Sequence, residues 1–341
     1  MKKTPVIFGL VFPVILFICL CRGRYPIAPG QVAGLLLAPL GVESRFFSAP
    51  PDMMMIFWNV RVPRIILSVF VGAGISTAGA VFQALFRNPL AAPDILGVTQ
   101  GSGFGAALVI LFLSPMALVI QTSAFAFGIL AVALAYILAS LSRDSSPSVL
   151  VISGIVISAI FQAGLSFIMY MANPYDQLIQ IIFWTMGSFN TASWAKVRAA
   201  VPLLFSGILL ITAFSWRLNL MTQGEEDARS MGIHVARWRI FYVVVSTLMV
   251  ACSVTAVGNV AWIGLIVPHI ARYLAGSEHR RLIPMTAVLG GLFLMIMDTV
   301  ARSLMLSEIP ISIVTSIFGA PFLGYLVVSA GKARFSHEPQ Y

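Results

Sequence analysis

The sequence has 341 residues, 59% of them hydrophobic and only 10% charged, with a formal net charge of +9. A soluble domain carries about 25% charged residues, so a water-soluble globular protein is excluded, and the mean hydropathy of +0.95 indicates a chain that crosses a membrane repeatedly. The basic residues are scattered between apolar runs, which fits basic cytosolic loops and not a nucleic-acid surface.

Lys2 and Lys3 precede an apolar run over residues 5–21. No small-x-small cleavage site follows it, only Cys21-Arg22-Gly23-Arg24, so a retained first span with a cytosolic N-terminus is expected. Residues 22–60 are mixed in character, punctuated by Pro26, Pro29, Pro50 and Pro51, and contain no run long enough to span. Residues 1–60 are therefore read as a first span plus an outer segment. Cys19, Cys21 and Cys252 sit in apolar settings and make no disulfide framework.

Further apolar runs of about 17–25 residues, the length a bilayer core requires, lie near 63–86, 94–114, 116–141, 148–172, 197–215, 240–258, 260–275, 283–301 and 310–330. With the first they predict an all-α polytopic protein of about ten transmembrane helices, forming one domain over residues 1–341. An even number brings the C-terminus to the cytosol, so both termini are expected there. Lys and Arg are then in excess on the cytosolic side, as positive-inside bias requires, although the outer side keeps Arg61, Arg64, Lys196 and Arg302 among others. The second run is dense in small residues (Gly72, Gly74, Ser76, Ala78, Gly79), a pattern that lets helix backbones approach closely in lipid.

The polar stretch 216–239 interrupts this apolar background. Thr222 stands three residues before Glu225, the spacing of a capping box. Glu225, Glu226 and Asp227 would fill a first helical turn, where the macrodipole favours anions. Arg229 follows, and Gly232 is placed to stop the helix in a left-handed conformation. A short polar helix between two spans is either a solvated connector or a docking element for a soluble partner, and local features suit both.

Three stretches carry more specific information: Arg61-Val62-Pro63-Arg64; Arg87-Asn88-Pro89-Leu90-Ala91-Ala92-Pro93-Asp94 running into Ile95-Leu96-Gly97-Val98-Thr99-Gln100-Gly101; and Trp262-Ile263-Gly264-Leu265-Ile266-Val267-Pro268-His269-Ile270-Ala271-Arg272 with Glu278-His279-Arg280-Arg281. In order and spacing these resemble the FecCD family of importer permeases, over about residues 60–328, and Glu308-Ile309-Pro310-Ile311 with Gly319-Ala320-Pro321 resemble the family's final span. The resemblance implies a type II ABC importer permease, working in the bacterial inner membrane as half of a dimer. It implies three partners: a cytosolic ATP-binding subunit, a periplasmic substrate-binding protein and a second permease subunit, identical or related. The cargo it implies is an iron–siderophore, haem, cobalamin or similar metal chelate. Residues 1–60 then hold the first span and a periplasmic segment, and 216–239 become a cytoplasmic coupling loop. Within it Gly224, Glu225, Glu226, Ala228, Arg229 and Gly232 match the family's ATPase seat. Arg61, Arg64 and Arg302 match positions that accept carboxylates from the binding protein, a role suited to the planar guanidinium. Ser146, Pro147 and Ser148 match an inner gate, with Pro147 where a hydroxyl residue stands in the cobalamin permease.

Other functions find less support. No GxxxxGK[ST] run occurs, so ATP and its Mg are expected on the partner, with no cofactor or metal on this chain and no enzymatic activity of its own. The four histidines show no metal-ligand spacing, and His269 beside Pro268 is read as fixing its helix. An ion-coupled secondary transporter acting without an ATPase is the alternative. It would need acids deep in spans, where Asp298 is the candidate.

Overall fold

The computed structural model describes residues 4–38, 50–113, 116–142 and 147–335, and the described residues form helices and connecting turns without strands. The helices are α1 (Thr4–Cys21), α2 (Pro29–Leu37), α3 (Pro51–Ile56), α4 (Val62–Leu85), α5 (Val98–Phe112), α6 (Ala117–Ser140) and α7 (Pro147–Met171). They continue as α8 (Gln177–Met186), α9 (Trp194–Gln223), α10 (Glu225–Ser230), α11 (Val235–Val257), α12 (Ile263–Ala275), α13 (His279–Ala301) and α14 (Ile311–Phe335). A π-helical turn over Phe57–Arg61 joins α3 to α4 without a break. The punctuation is chemical. Pro29 and Pro51 open their helices, where a missing N–H costs nothing. Gly187, Gly258 and Gly276, all at positive φ, follow the ends of α8, α11 and α12.

Each of the predicted spans coincides with one helix, yet the described residues give six helices long and apolar enough to cross a membrane, together with shorter apolar ones. Of the four expected spans outside these six, α5 and α12 are short helices, of 15 and 13 residues. At 1.5 Å per residue they reach about 20–22 Å, short of a hydrocarbon core of about 30 Å. Hydropathy counted the turns that lead into them as span. The chain instead enters α5 through Gly97 (φ 85°) and α12 through Trp262 (φ 70°), both left-handed.

α4 is the axis of the molecule, buried along nearly its whole length and packed against α9, α11, α12 and α13. Its small residues do what the sequence suggested. A Cβ on Gly72 would collide with the Gly290 carbonyl of α13, and one on Gly79 with the Gly264 backbone of α12. Backbones therefore meet directly, which replaces in lipid the hydrophobic drive that water would supply. α5, α6 and α7 form a neighbouring layer around the edge-to-face trio Phe104, Phe127 and Phe161. α1 closes the other flank, burying Cys19 and Leu20 with Phe57 and Met295.

Candidate functional site

Two groups of polar side chains stand apart among the described residues, one around α10 and one around Arg64. At one end, α9 does not stop near residue 215 as hydropathy suggested but continues to Gln223, because no helix breaker precedes Gly224. The polar stretch is correspondingly reduced. Residues 216–223 belong to α9 and 235–239 to α11, leaving α10 and its two joints as the connection. The expected capping box is absent. Thr222 lies in the last turn of α9 and donates its hydroxyl to Asn219 O at 2.8 Å, while Gly224 occupies the N-cap of α10 without a side-chain bond.

The C-terminus of α10 is as expected. Gly232 has φ 79°, its N–H donates to Arg229 O at 2.9 Å, and Ile233 N–H donates to Ala228 O at 3.0 Å. This is a Schellman closure. Ala228 and Ile233 are buried against the bundle, whereas Glu226, Asp227 and Arg229 face outward. A short charged surface is thus presented on two apolar pegs.

Three ties hold the base of α9 in place; Arg87 and His279 lie in the quoted motifs, but their partners did not stand out in the sequence. Arg217 lies over the Trp238 ring of α11, 4.1 Å from its centroid, and within 5.0 Å and 5.4 Å of the Phe214 and Trp216 centroids. Beside it Tyr242 donates its hydroxyl to Phe214 O at 2.8 Å. Asn219 Oδ1 accepts the His279 backbone N–H at 2.8 Å and meets His279 Nδ1 at 2.7 Å, which fastens α9 to the start of α13. Arg87, left-handed at φ 48°, donates to Met221 O at 3.2 Å and joins the turn after α4. The visible signals were an arginine among aromatics and a buried polar pair, but their partners lie on other helices.

The long motif residues serve the same region. Gln83 of α4 receives Arg272 Nη2 at 2.8 Å and donates to Leu265 O at 3.2 Å. His269 donates through Nε2 to Pro89 O at 2.9 Å, so it anchors the turn carrying Asn88 and Asp94. Of the inner-gate residues, Ser146 lies outside the described residues, Pro147 opens α7 and Ser148 is exposed on its first turn.

At the opposite end, Arg61, Arg64 and Arg302 come together, but their side chains turn inward, at 4%, 6% and 5% exposure. Arg64 donates to both oxygens of Asp298 at 2.8–3.1 Å and to both oxygens of Glu308 at 2.9 and 3.0 Å. Arg61 donates to the Leu20 carbonyl at 2.6 Å and to the Tyr25 carbonyl. Arg302 donates to Cys19 O at 2.7 Å, with its Nε 3.8 Å from Asp298. Asp298 is therefore shared: Arg64 hydrogen-bonds both its oxygens, and Arg302, one turn on, lies within ion-pair distance. The fork of Arg64 reaches two carboxylates at once. The cluster stitches α1, α4, α13 and the turn before α14 together.

Near the cluster opens a cavity of about 910 Å³, bordered by α8 (Gln180, Trp184), α9 (Lys196), the end of α11 (Thr255, Ala256) and Glu308. Lys196 is half-buried there and donates to Thr191 Oγ1 and Ala256 O, each at 2.7 Å. The ammonium so placed satisfies the carbonyl end of α11, where a positive charge is favoured.

Comparison with known proteins matches residues 11–329 to the FecCD transport family. The molybdate import system permease protein MolB of Haemophilus influenzae is 38% identical over 94% of this chain and 95% of its own length. The cobalamin import system permease protein BtuC of Halobacterium salinarum is 35% identical over 82% of this chain and 75% of its own. The Fe(3+)-citrate import system permease protein YfmE of Bacillus subtilis is 33% identical over 96% of each. Among solved structures, a metal-chelate type ABC transporter in an inward-facing conformation superimposes with a TM-score of 0.85 and 34% identity, covering 96% of this chain and 100% of that one.

Proposed function

This chain belongs to the FecCD transport family of ABC permeases, and from that premise we propose that it is the membrane subunit of an ATP-driven importer for a metal chelate. The class of cargo includes ferric siderophores, haem and cobalamin; of the similar permeases, one is named for cobalamin, one for Fe(3+)-citrate and one for molybdate. ATP and Mg reside on a cytosolic ATP-binding partner, which seats on α10. A periplasmic binding protein delivers the cargo to the outer end, and a second permease subunit completes the pathway. The protein lies in the bacterial inner membrane with both termini in the cytosol.

The observation that carries this reading is α10 itself. It is a charged helix on a buried Ala228 peg, held between the longest helix, α9, and α11, and flanked by glycines. A connector would need none of that. A rigid element joined to two spans can pass the motion of an ATPase to them, as in hinge and shear transitions. Gly224, Glu225, Glu226, Ala228, Arg229 and Gly232 are assigned to this seat.

At the outer end, Arg61, Arg64 and Arg302 are proposed to act on binding-protein docking from within, by fixing the rim that includes Glu308 and residues 19–25. Ser146, Pro147 and Ser148 are retained as the inner gate. The secondary-transport alternative is disfavoured by the state of Asp298, which is buried and occupied by Arg64 and cannot cycle an ion without breaking that pair.

The test is reconstitution in proteoliposomes with and without the ATP-binding partner and the binding protein. ATP-dependent uptake of a ferric chelate, lost when Glu225 and Arg229 are both replaced by Ala while membrane insertion is kept, is expected. Uptake of the same chelate by the chain alone under an ion gradient would overturn the proposal.

A further inference from the structure

α10 is joined to the spans by Gly224 on one side and Gly232 on the other, and a Cβ at Gly232 would meet nothing within 4 Å. Glycine joints bend easily. A push on α10 would therefore be absorbed at these joints, or move α9 and α11 by different amounts, unless the two helices are tied together just above it.

They are tied there. The Arg217 guanidinium is stacked on Trp238 at 4.1 Å and is bordered on the α9 side by Phe214 and Trp216. Phe214 and Trp238 are themselves 5.2 Å apart, and the Tyr242 hydroxyl reaches back to Phe214 O. A cation enclosed by aromatic faces resists shear, since sliding the rings separates charge from quadrupole. At the far end of the same two helices, Lys196 of α9 donates to Ala256 O of α11 at the edge of the large cavity. α9 has 30 residues, about 45 Å of helix. The two helices are thus pinned at both ends, one pin beside α10 and the other at the outer cavity.

We propose that Arg217 and Trp238 are positioning residues that make α9 and α11 move as one body, so that displacement of α10 is delivered to the outer cavity at Lys196. The inference rests on α10 being the ATPase seat. It adds which side chains carry the motion onward and where it arrives.

The experiment uses the complete complex in lipid nanodiscs, with Cys21→Ser and Ala195→Cys carrying an environment-sensitive fluorophore at the cavity edge. ATP with vanadate is expected to shift the emission of the otherwise unmodified complex. In Arg217→Gln and Trp238→Leu the shift should fall at least twofold, with vanadate trapping by the ATPase unchanged. Trp238→Phe, which keeps an aromatic face, should retain most of it. A shift of full size in both Arg217→Gln and Trp238→Leu overturns the proposal. Where Arg217→Gln yields too little complex, Arg217→Lys carries the test, with an intermediate loss expected and a full-size shift again overturning it. No association between the ATPase and the unmodified chain would instead remove the coupling reading, and this inference with it.

Discussion

The two polar ends of this protein use charge in opposite ways. At the end proposed to face outward, Arg61, Arg64 and Arg302 are buried, and the donors of Arg64 are shared between Asp298 and Glu308. At the end proposed to face the cytosol, Glu226, Asp227 and Arg229 stand on the surface of a six-residue helix whose own attachment is apolar. Buried charges cost much to desolvate and more to leave unpaired, so the outer cluster is a fastening. Exposed charges are screened and individually weak, so the charges of α10 add little to stability. On the proposed reading, the molecule is stapled at the end that would face the binding protein, while the charges at the end that would meet the ATPase stay at the surface.

The largest effect expected from this contrast is at Arg64. Arg64→Ala leaves Asp298 and Glu308 without their shared donor and should cost about 3–5 kcal/mol, the scale for breaking a buried pair. Thermal unfolding in detergent reads it, and a shift as small as that of a surface substitution would reduce the cluster to an ordinary rim. Next comes Ala228→Asp, which places a carboxylate on the buried peg of α10. A loss of about 1–3 kcal/mol is expected from the unsatisfied group, seen as faster proteolysis at residues 224–234 before global unfolding. Gly232→Ala should cost about 1–2 kcal/mol, because an L-residue at φ 79° is strained although its Cβ has space. Resistance of that joint to the substitution would show that α10 can close without the left-handed turn. The smallest effect is Glu226→Gln, expected to leave the unfolding temperature unchanged within about 0.5 kcal/mol. Its signature should appear only in ATP-coupled uptake. If Glu226→Gln and Arg64→Ala destabilised the protein equally, the distinction between the two ends would be lost.

Legibility followed the range of each interaction. The positions of the helices were readable because they depend on local composition, as was the left-handed stop at Gly232. The dense glycines of α4 announced close packing, though not that Gly72 would face Gly290 or Gly79 face Gly264. Where reading failed, two local rules competed. Thr222 had the spacing of a cap, but uninterrupted helix-forming residues carried α9 past it to Gly224. Hydropathy likewise merged the approaches of α5 and α12 with the helices, since an apolar turn scores like an apolar helix. The motif residues could be named from the sequence, yet their partners were hidden. Arg64 reaches Glu308 across 244 positions and His269 reaches Pro89 across 180.

By itself the sequence determined the solvent this protein lives in, its helical class, its family and the existence of a short charged helix between two spans. Those follow from composition, periodicity and motif spacing, which act over a few residues. Only the tertiary structure decided that Arg61, Arg64 and Arg302 point inward, that Asp298 is hydrogen-bonded by Arg64, and that Arg217 and Lys196 pin the same two helices at opposite ends. Such pairings are fixed by which helix faces which across close backbone contacts, and no linear pattern encodes that geometry.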